Sequence, residues 1–150
     1  MKIIEVTKNN LQDIKDDALQ IISEQMECIG GSTDPQRINQ ALENALKTAS
    51  RARLFLAYKR NELVGMCFLN VCSGLESGGD YIYINEINVR KASRGLGYGT
   101  TLLNYVKNWG VKNGYRYIAA VTSNNNEASQ ELFCKNGFSK SEVVWLDLNI

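Results

Sequence analysis

Arg94-Gly95-Leu96-Gly97-Tyr98-Gly99 separates a β-like run, Tyr81 to Val89, from a helix-like run, Thr100 to Asn113. A strand that turns into a helix through three alternating glycines constrains the fold more than any other stretch. Glycine permits φ > 0 and close approach of a ligand to the backbone. The first turn of a helix carries N–H groups without intrahelical partners, and its dipole favours negative charge. A basic residue beside such a turn predicts an anion site, with phosphate the natural ligand.

Spacing separates this loop from the common phosphate loops. A dinucleotide fingerprint requires Gly-x-Gly-x-x-Gly. Counting from Gly95 places Thr100 at the last position, and counting from Gly97 places Leu102 there. No Gly-x4-Gly-Lys-Ser/Thr run occurs, and a chain without histidine has no kinase-type His-Arg-Asp. The pattern present is Arg-x-x-Gly-x-Gly, at Arg94, Gly97 and Gly99.

That pattern resembles the pyrophosphate loop of the GNAT superfamily of acyl-coenzyme A-dependent N-acetyltransferases. The likeness continues before the loop in Ile87-Asn88-Val89-Arg90 and after it in Leu102, Leu103 and Val106. It resumes at Tyr117 to Thr122, at Asn126-x-Ala128, and through Phe133 to Lys135-Asn136-Gly137-Phe138. It covers about residues 81 to 140 well, whereas the first fifty residues agree only in the order of their elements. The resemblance implies one α/β (α+β) domain over residues 1–150. Its central sheet would be mixed, mostly antiparallel, flanked by helices and splayed at the cofactor site. It implies acetyl-coenzyme A as cofactor and an amine acceptor, either a small molecule or a protein amine. Cofactor contacts are expected at Ile87, Val89, Arg90, Arg94, Gly95, Leu96, Gly97, Tyr98, Gly99, Thr100, Asn126 and Phe133. Main-chain groups of Ile87 and Val89 would hold the pantetheine arm.

The remaining chain supplies the expected element order β-α-α-β-β-β-α-β-α-β. Ile3 to Val6 reads as a first strand, and Leu11, Ile14, Ala18, Leu19, Ile21 and Ile22 have helical spacing. Gly30-Gly31-Ser32 ends that helix, and Asp34-Pro35 pairs a capping residue with a first-turn proline. A second helix carries Ile38, Leu42, Ala45 and Leu46. Leu54 to Tyr58 and Leu63 to Val71 form a hairpin about a polar turn, followed by a loop from Ser73 to Asp80. Val143 to Leu148 reads as a last strand. By resemblance the two early helices lie over the acyl end of the cofactor, which makes Gln25, Glu27 and Gly30-Gly31 candidate acceptor contacts.

Bulk properties narrow the class. At 150 residues, the chain suits one domain, which buries roughly 70% of its unfolded surface. Seventeen basic against sixteen acidic residues make no electrostatic case for nucleic acid. No run approaches the roughly 18 apolar residues of a membrane span. Met1-Lys2-Ile3-Ile4-Glu5 is charged too early for a signal peptide. Cys28, Cys67, Cys72 and Cys134 form no Cys-x-x-Cys pair, and without histidine no metal site is expected. Free, partly buried thiols of a reducing compartment are expected, which makes the cytoplasm the expected location. Either a monomer or a homodimer is compatible with these features.

The chemistry then requires a base. An alkyl amine with a pKa of about 10.4 is mostly protonated at neutral pH and must lose a proton before it attacks a thioester. A backbone N–H on the strand before the loop would stabilise the resulting oxyanion. Glu86 is the one acidic residue between Asp80 and the loop and is the candidate catalytic base; its other reading is a carboxylate bonded to a nearby loop. On an ideal strand it shares a face with Ile82 and Ile84, so a β-bulge would be needed to re-aim it. Phe133 stands where many relatives carry a tyrosine that protonates the leaving thiolate. This departure motivates a second hypothesis, a non-catalytic acyl-coenzyme A sensor. Val121 argues against those protein N-terminal acetyltransferases that carry glutamate there. Tyr105, Trp109 and Trp145 read as core or rim packing.

Overall fold

A computed structural model describes residues 1–148. Its elements are β1 (Lys2–Glu5), α1 (Leu11–Ile29), α2 (Pro35–Ala45), β2 (Ala52–Lys59), β3 (Glu62–Gly74), β4 (Gly79–Val89), α3 (Tyr98–Lys112), β5 (Ile118–Ala120) and α4 (Glu127–Lys135). A single 3₁₀ turn, Lys91–Ser93, lies between β4 and α3. The strands lie in the order β1-β2-β3-β4-β5, antiparallel except for the parallel pair β4–β5.

Local chemistry accounts for most boundaries. Gly30 closes α1 in the left-handed region at φ 72°, where a side chain would be strained. Asp34 caps α2, its carboxylate accepting from the Gln36 N–H at 3.0 Å, and Pro35 occupies the first turn. Arg60 and Asn61, both at positive φ, make the two-residue turn between β2 and β3, whose backbone twist suits a tight hairpin. The expected loop from Ser73 is shorter than anticipated, because β3 runs on to Gly74 and β4 starts at Gly79. Arg51 ties this extension together by pairing with Asp80 and donating to Ser73 Oγ.

The sheet is covered on both faces, which explains why β2 reads as a continuous apolar run. Phe55 and Ala57 face α3, joined there by Leu69, Ile82, Ile84, Leu102, Leu103 and Val106. Leu54, Leu56 and Met66 face α1 and α2, against Ala18, Ile21 and Leu42. Tyr105 and Trp109 pack edge-on against Phe55, with ring centroids 5.4 and 5.6 Å away.

One expected element is absent among the described residues: Val143 to Leu148 form no strand. Trp145, expected in the core or at its rim, is 68% exposed. The run has the composition of a strand, but a strand also needs backbone groups that pair with its own, and among the described residues no backbone hydrogen bond reaches it.

Candidate active site

Strands β4 and β5 pair only from Ile82 to Ile84 against Ile118 to Ala120. Beyond Ile84, β4 continues to Val89 without β5 beside it, and the two strands splay. In the gap lies a cleft of about 470 Å³, walled by Ile84 to Ile87 on β4, Val121 to Ser123 after β5, Asn126, Ser129 and Phe133 by α4, and Gln25, Cys28 and Ile29 on α1.

A β-bulge sets the chemistry of this cleft. Leu69 of β3 pairs with Ile84, whereas Phe68 pairs with Glu86, so Asn85 is the extra residue. Its amide oxygen is held by Asn70 Nδ2 at 2.7 Å. The insertion reverses side-chain parity. Ile84 faces the α3 side, but Glu86 pairs with Phe68, which packs on the α1 side, and Ile87 takes over on the α3 side. Glu86 therefore meets α1, where Gln25 Nε2 donates to its carboxylate at 2.5 Å. Gln25 is itself buried, in line with Ala18 and Ile21 on the packed stripe of α1. Burial raises the Glu86 carboxyl above its ordinary range, and the Gln25 hydrogen bond partly opposes the rise. Cys67, fully buried in β3, is pushed up by its burial and by the Glu86 charge and stays a thiol.

The glycine loop lies at the end of the same strand. Gly95 and Gly97 are left-handed, at φ 76° and 78°, and Gly97 is the residue on which α3 starts. The N–H groups from Gly95 to Thr100 make no hydrogen bond to any described residue, whereas the Thr101 N–H reaches Gly97 O at 3.0 Å. Leu96 and Thr100 are exposed and Tyr98 is half-buried against the core. Gly99 differs from its neighbours: a Cβ there would lie 3.3 Å from both methyl groups of Leu132, so its small size lets α3 pack on α4.

The other expected contacts divide. The Arg90 N–H donates to Val64 of β3. By the alternation of an antiparallel ladder, the main-chain groups of Val89 and Ile87 therefore face away from β3 into the splay. Val89 O accepts from Arg94 Nε at 2.9 Å, so Arg94 braces the loop on the strand that precedes it. The Arg90 guanidinium, expected near the cofactor, is fully engaged elsewhere: Nε and Nη2 donate to Glu24 at 3.0 and 2.8 Å, and Nη1 to Leu63 O at 3.3 Å. It clamps α1 to the end of β4. Asn126 caps α4, accepting from the Ser129 N–H at 3.1 Å. Phe133 is core on one side, with Phe138 edge-on at 5.0 Å, and cleft wall on the other. Glu27 is exposed and does not line the cleft, whereas Cys28 and Ile29 do. Local sequence does not mark either residue, because only the crossing of α1 over β4 brings them there. The four cysteines are free, and no cluster of metal-ligating residues occurs among the described residues.

The GNAT acetyltransferase family model matches residues 16–138. The chain belongs to the GNAT acetyltransferase family. Its fold agrees with solved structures along nearly their whole lengths. A probable acetyltransferase has a TM-score of 0.82 at 22% identity, covering 100% of this chain and 98% of its own. An aminoglycoside acetyltransferase from an uncultured soil metagenomic sample, in complex with sisomicin, has 0.81 at 16%, covering 99% and 95%. A predicted acetyltransferase with acetyl-CoA from Clostridium acetobutylicum has 0.75 at 17%, covering 99% and 95%. At these identities the likeness is one of fold. No curated protein sequence matches the chain.

Arg94 gives a first test. Its side chain is exposed and shares the loop with six unpartnered N–H groups. If this loop holds the pyrophosphate of acetyl-coenzyme A, Arg94→Ala should weaken that binding by about two- to fivefold, the scale of an exposed charge. The loss should shrink in high salt. Titration calorimetry at two ionic strengths measures both effects.

Proposed function

We propose that residues 1–150 form one cytoplasmic N-acetyltransferase domain that moves an acetyl group from acetyl-coenzyme A to a primary amine. The observation that carries this reading is the bulge at Asn85, which turns the Glu86 carboxylate onto the α1 side of the splay. The chain's own groups fit the donor. The loop offers a run of unpartnered N–H groups to a pyrophosphate, and main-chain groups of Ile87 face the gap where a pantetheine arm would lie. Acetyl-coenzyme A would supply the thioester.

Glu86 takes the proton of the acceptor's ammonium group, directly or through one water, and so frees the nitrogen lone pair. Its raised pKa narrows the gap to the amine and makes it a better base than an exposed glutamate. The Ile87 N–H, facing the splay, stabilises negative charge on the carbonyl oxygen. Gln25 fixes the carboxylate, and Cys28 and Ile29 bound the acceptor side. A small-molecule amine is the acceptor class we favour. This follows the sisomicin complex of a similarly folded protein and the confined cleft between α1 and β4.

The decisive experiment is thiol release with acetyl-coenzyme A and a panel of amines: aminoglycosides, polyamines, amino acids and peptides with a free N-terminus. Turnover on at least one class supports the reading. Cofactor-induced stabilisation without turnover on any would favour the sensor, which Phe133 motivates by its missing hydroxyl.

Phe133→Tyr refines the test. A leaving thiol with a reference pKa of about 8.5 departs largely as thiolate and gains little from an acid. The variant should therefore keep turnover within about threefold of the parent or raise it modestly, against the 10²–10⁴-fold typical of an essential general acid. A large fall would mean that the wall at Phe133 must be apolar, as a longer acyl chain would require.

A further inference from the structure

The cleft beside Glu86 carries very little charge. Glu86 is the one carboxylate among its described lining residues, and no lysine or arginine lines it. The wall that α1 contributes is an amide, a thiol and an alkyl group, at Gln25, Cys28 and Ile29. The neighbouring charges are engaged or lie outside. Glu24, one residue before Gln25, pairs with Arg90 at 2.8 Å, which also removes Arg90 as a partner for an anion. Glu27 is exposed and outside the lining. Arg94 is held on Val89 O at the loop, and Asp80 pairs with Arg51 at the other end of β4.

Charge arithmetic limits what such a cleft accepts. One ammonium beside Glu86 makes one ion pair. When its proton passes to Glu86, a neutral amine faces a neutral carboxylic acid, and no charge is stranded. A second ammonium, as in a polyamine or an aminoglycoside, would face amides, hydroxyls and apolar groups. Drawn from water without a counter-charge, it weakens binding. A carboxylate on the acceptor meets no cation and is repelled by Glu86. An apolar remainder does have a place, because Ile29 is 55% exposed on the cleft wall. The same cleft, about 470 Å³, must also take the pantetheine arm, so the acceptor is small.

Granted acetyl transfer to an amine, we infer that the acceptor is a small primary amine with a single positive charge, no carboxylate and an apolar remainder that packs on Ile29. Cys28 sets the charge preference. It lies three residues after Gln25 and so beside it on the surface of α1. A carboxylate there would supply the partner that a second ammonium lacks.

Three amines of equal chain length test the charge rule: butylamine, putrescine and γ-aminobutyrate. In thiol release with acetyl-coenzyme A, kcat/KM for butylamine should exceed that for either of the others at least about tenfold. Cys28→Asp should narrow the gap to putrescine by about three- to tenfold, the scale of a partly exposed ion pair. The gap to γ-aminobutyrate should not narrow. NMR titration of the coenzyme A complex with the same amines reads the order of affinities without turnover and without the variant. Putrescine or γ-aminobutyrate equal to butylamine in either measurement, or a preference unmoved by Cys28→Asp, would overturn the inference and leave acetyl transfer standing. Butylamine that binds best but is not acetylated would support the charge rule and count against the transferase reading.

Discussion

Glu86→Gln should lower kcat by about 10² or more while leaving acetyl-coenzyme A affinity nearly unchanged. The amide keeps the shape of the carboxylate and its bond to Gln25, so the cleft is preserved and only the proton acceptor is lost. The loop proposed to hold the cofactor's charge lies several residues beyond the bulge. Parent-like turnover in this variant would return Glu86 to a structural role.

The pH profile and stability sharpen this prediction. Burial raises the Glu86 pKa, so the acid limb of the rate should lie above the usual carboxylate range of about 4.3. That limb should vanish in Glu86→Gln. The sign for stability follows from the same shift. A carboxyl whose folded pKa exceeds its unfolded one favours the fold fully below the unfolded pKa. The contribution is lost as pH rises through the folded pKa. At neutral pH the ionised group is a net cost, and Glu86→Gln should melt no lower than the parent. Any advantage should fade toward pH 4. A residue that weakens the fold and carries the rate is characteristic of a functional site.

Much of this arrangement was legible in the sequence, but only where local chemistry decides geometry. The Asp34-Pro35 helix start, the glycine that ends α1 and the strand–loop–helix at residues 79–112 follow from capping, backbone freedom and periodicity. The face of Glu86 did not follow. Strict alternation places it with Ile82 and Ile84, and one extra residue at Asn85 reverses that; a bulge has no reliable signature in a single strand. The Glu24–Arg90 clamp and the Gln25–Glu86 bond join residues more than sixty positions apart. They exist because α1 crosses β4, which periodicity within either element does not report. Val143 to Leu148 failed for a different reason: their propensity is correct for a strand, but pairing is not a property of the segment alone.

Gly97 and Gly99 look equivalent in the sequence and should fail differently when replaced. Gly97 sits at φ 78°, and a Cβ added there would have nothing within 4 Å. Valine at this position meets no neighbour but cannot hold the left-handed conformation, which costs about 1–2 kcal/mol for a residue with a Cβ. The loop would relax, the N–H groups at the start of α3 would lose their common direction, and the added methyls would stand where a pyrophosphate approaches. Gly97→Val should lose about 5- to 30-fold in acetyl-coenzyme A affinity from this strain alone, because each 1.4 kcal/mol is a factor of ten. Gly99 is helical, and its Cβ would press on Leu132. Gly99→Val should instead destabilise the protein by about 1–3 kcal/mol through overpacking between α3 and α4. Calorimetry paired with thermal melts separates the two. A folded Gly97→Val protein that binds acetyl-coenzyme A as tightly as the parent would remove the loop from the cofactor site. The donor would then have to be sought elsewhere along the splay.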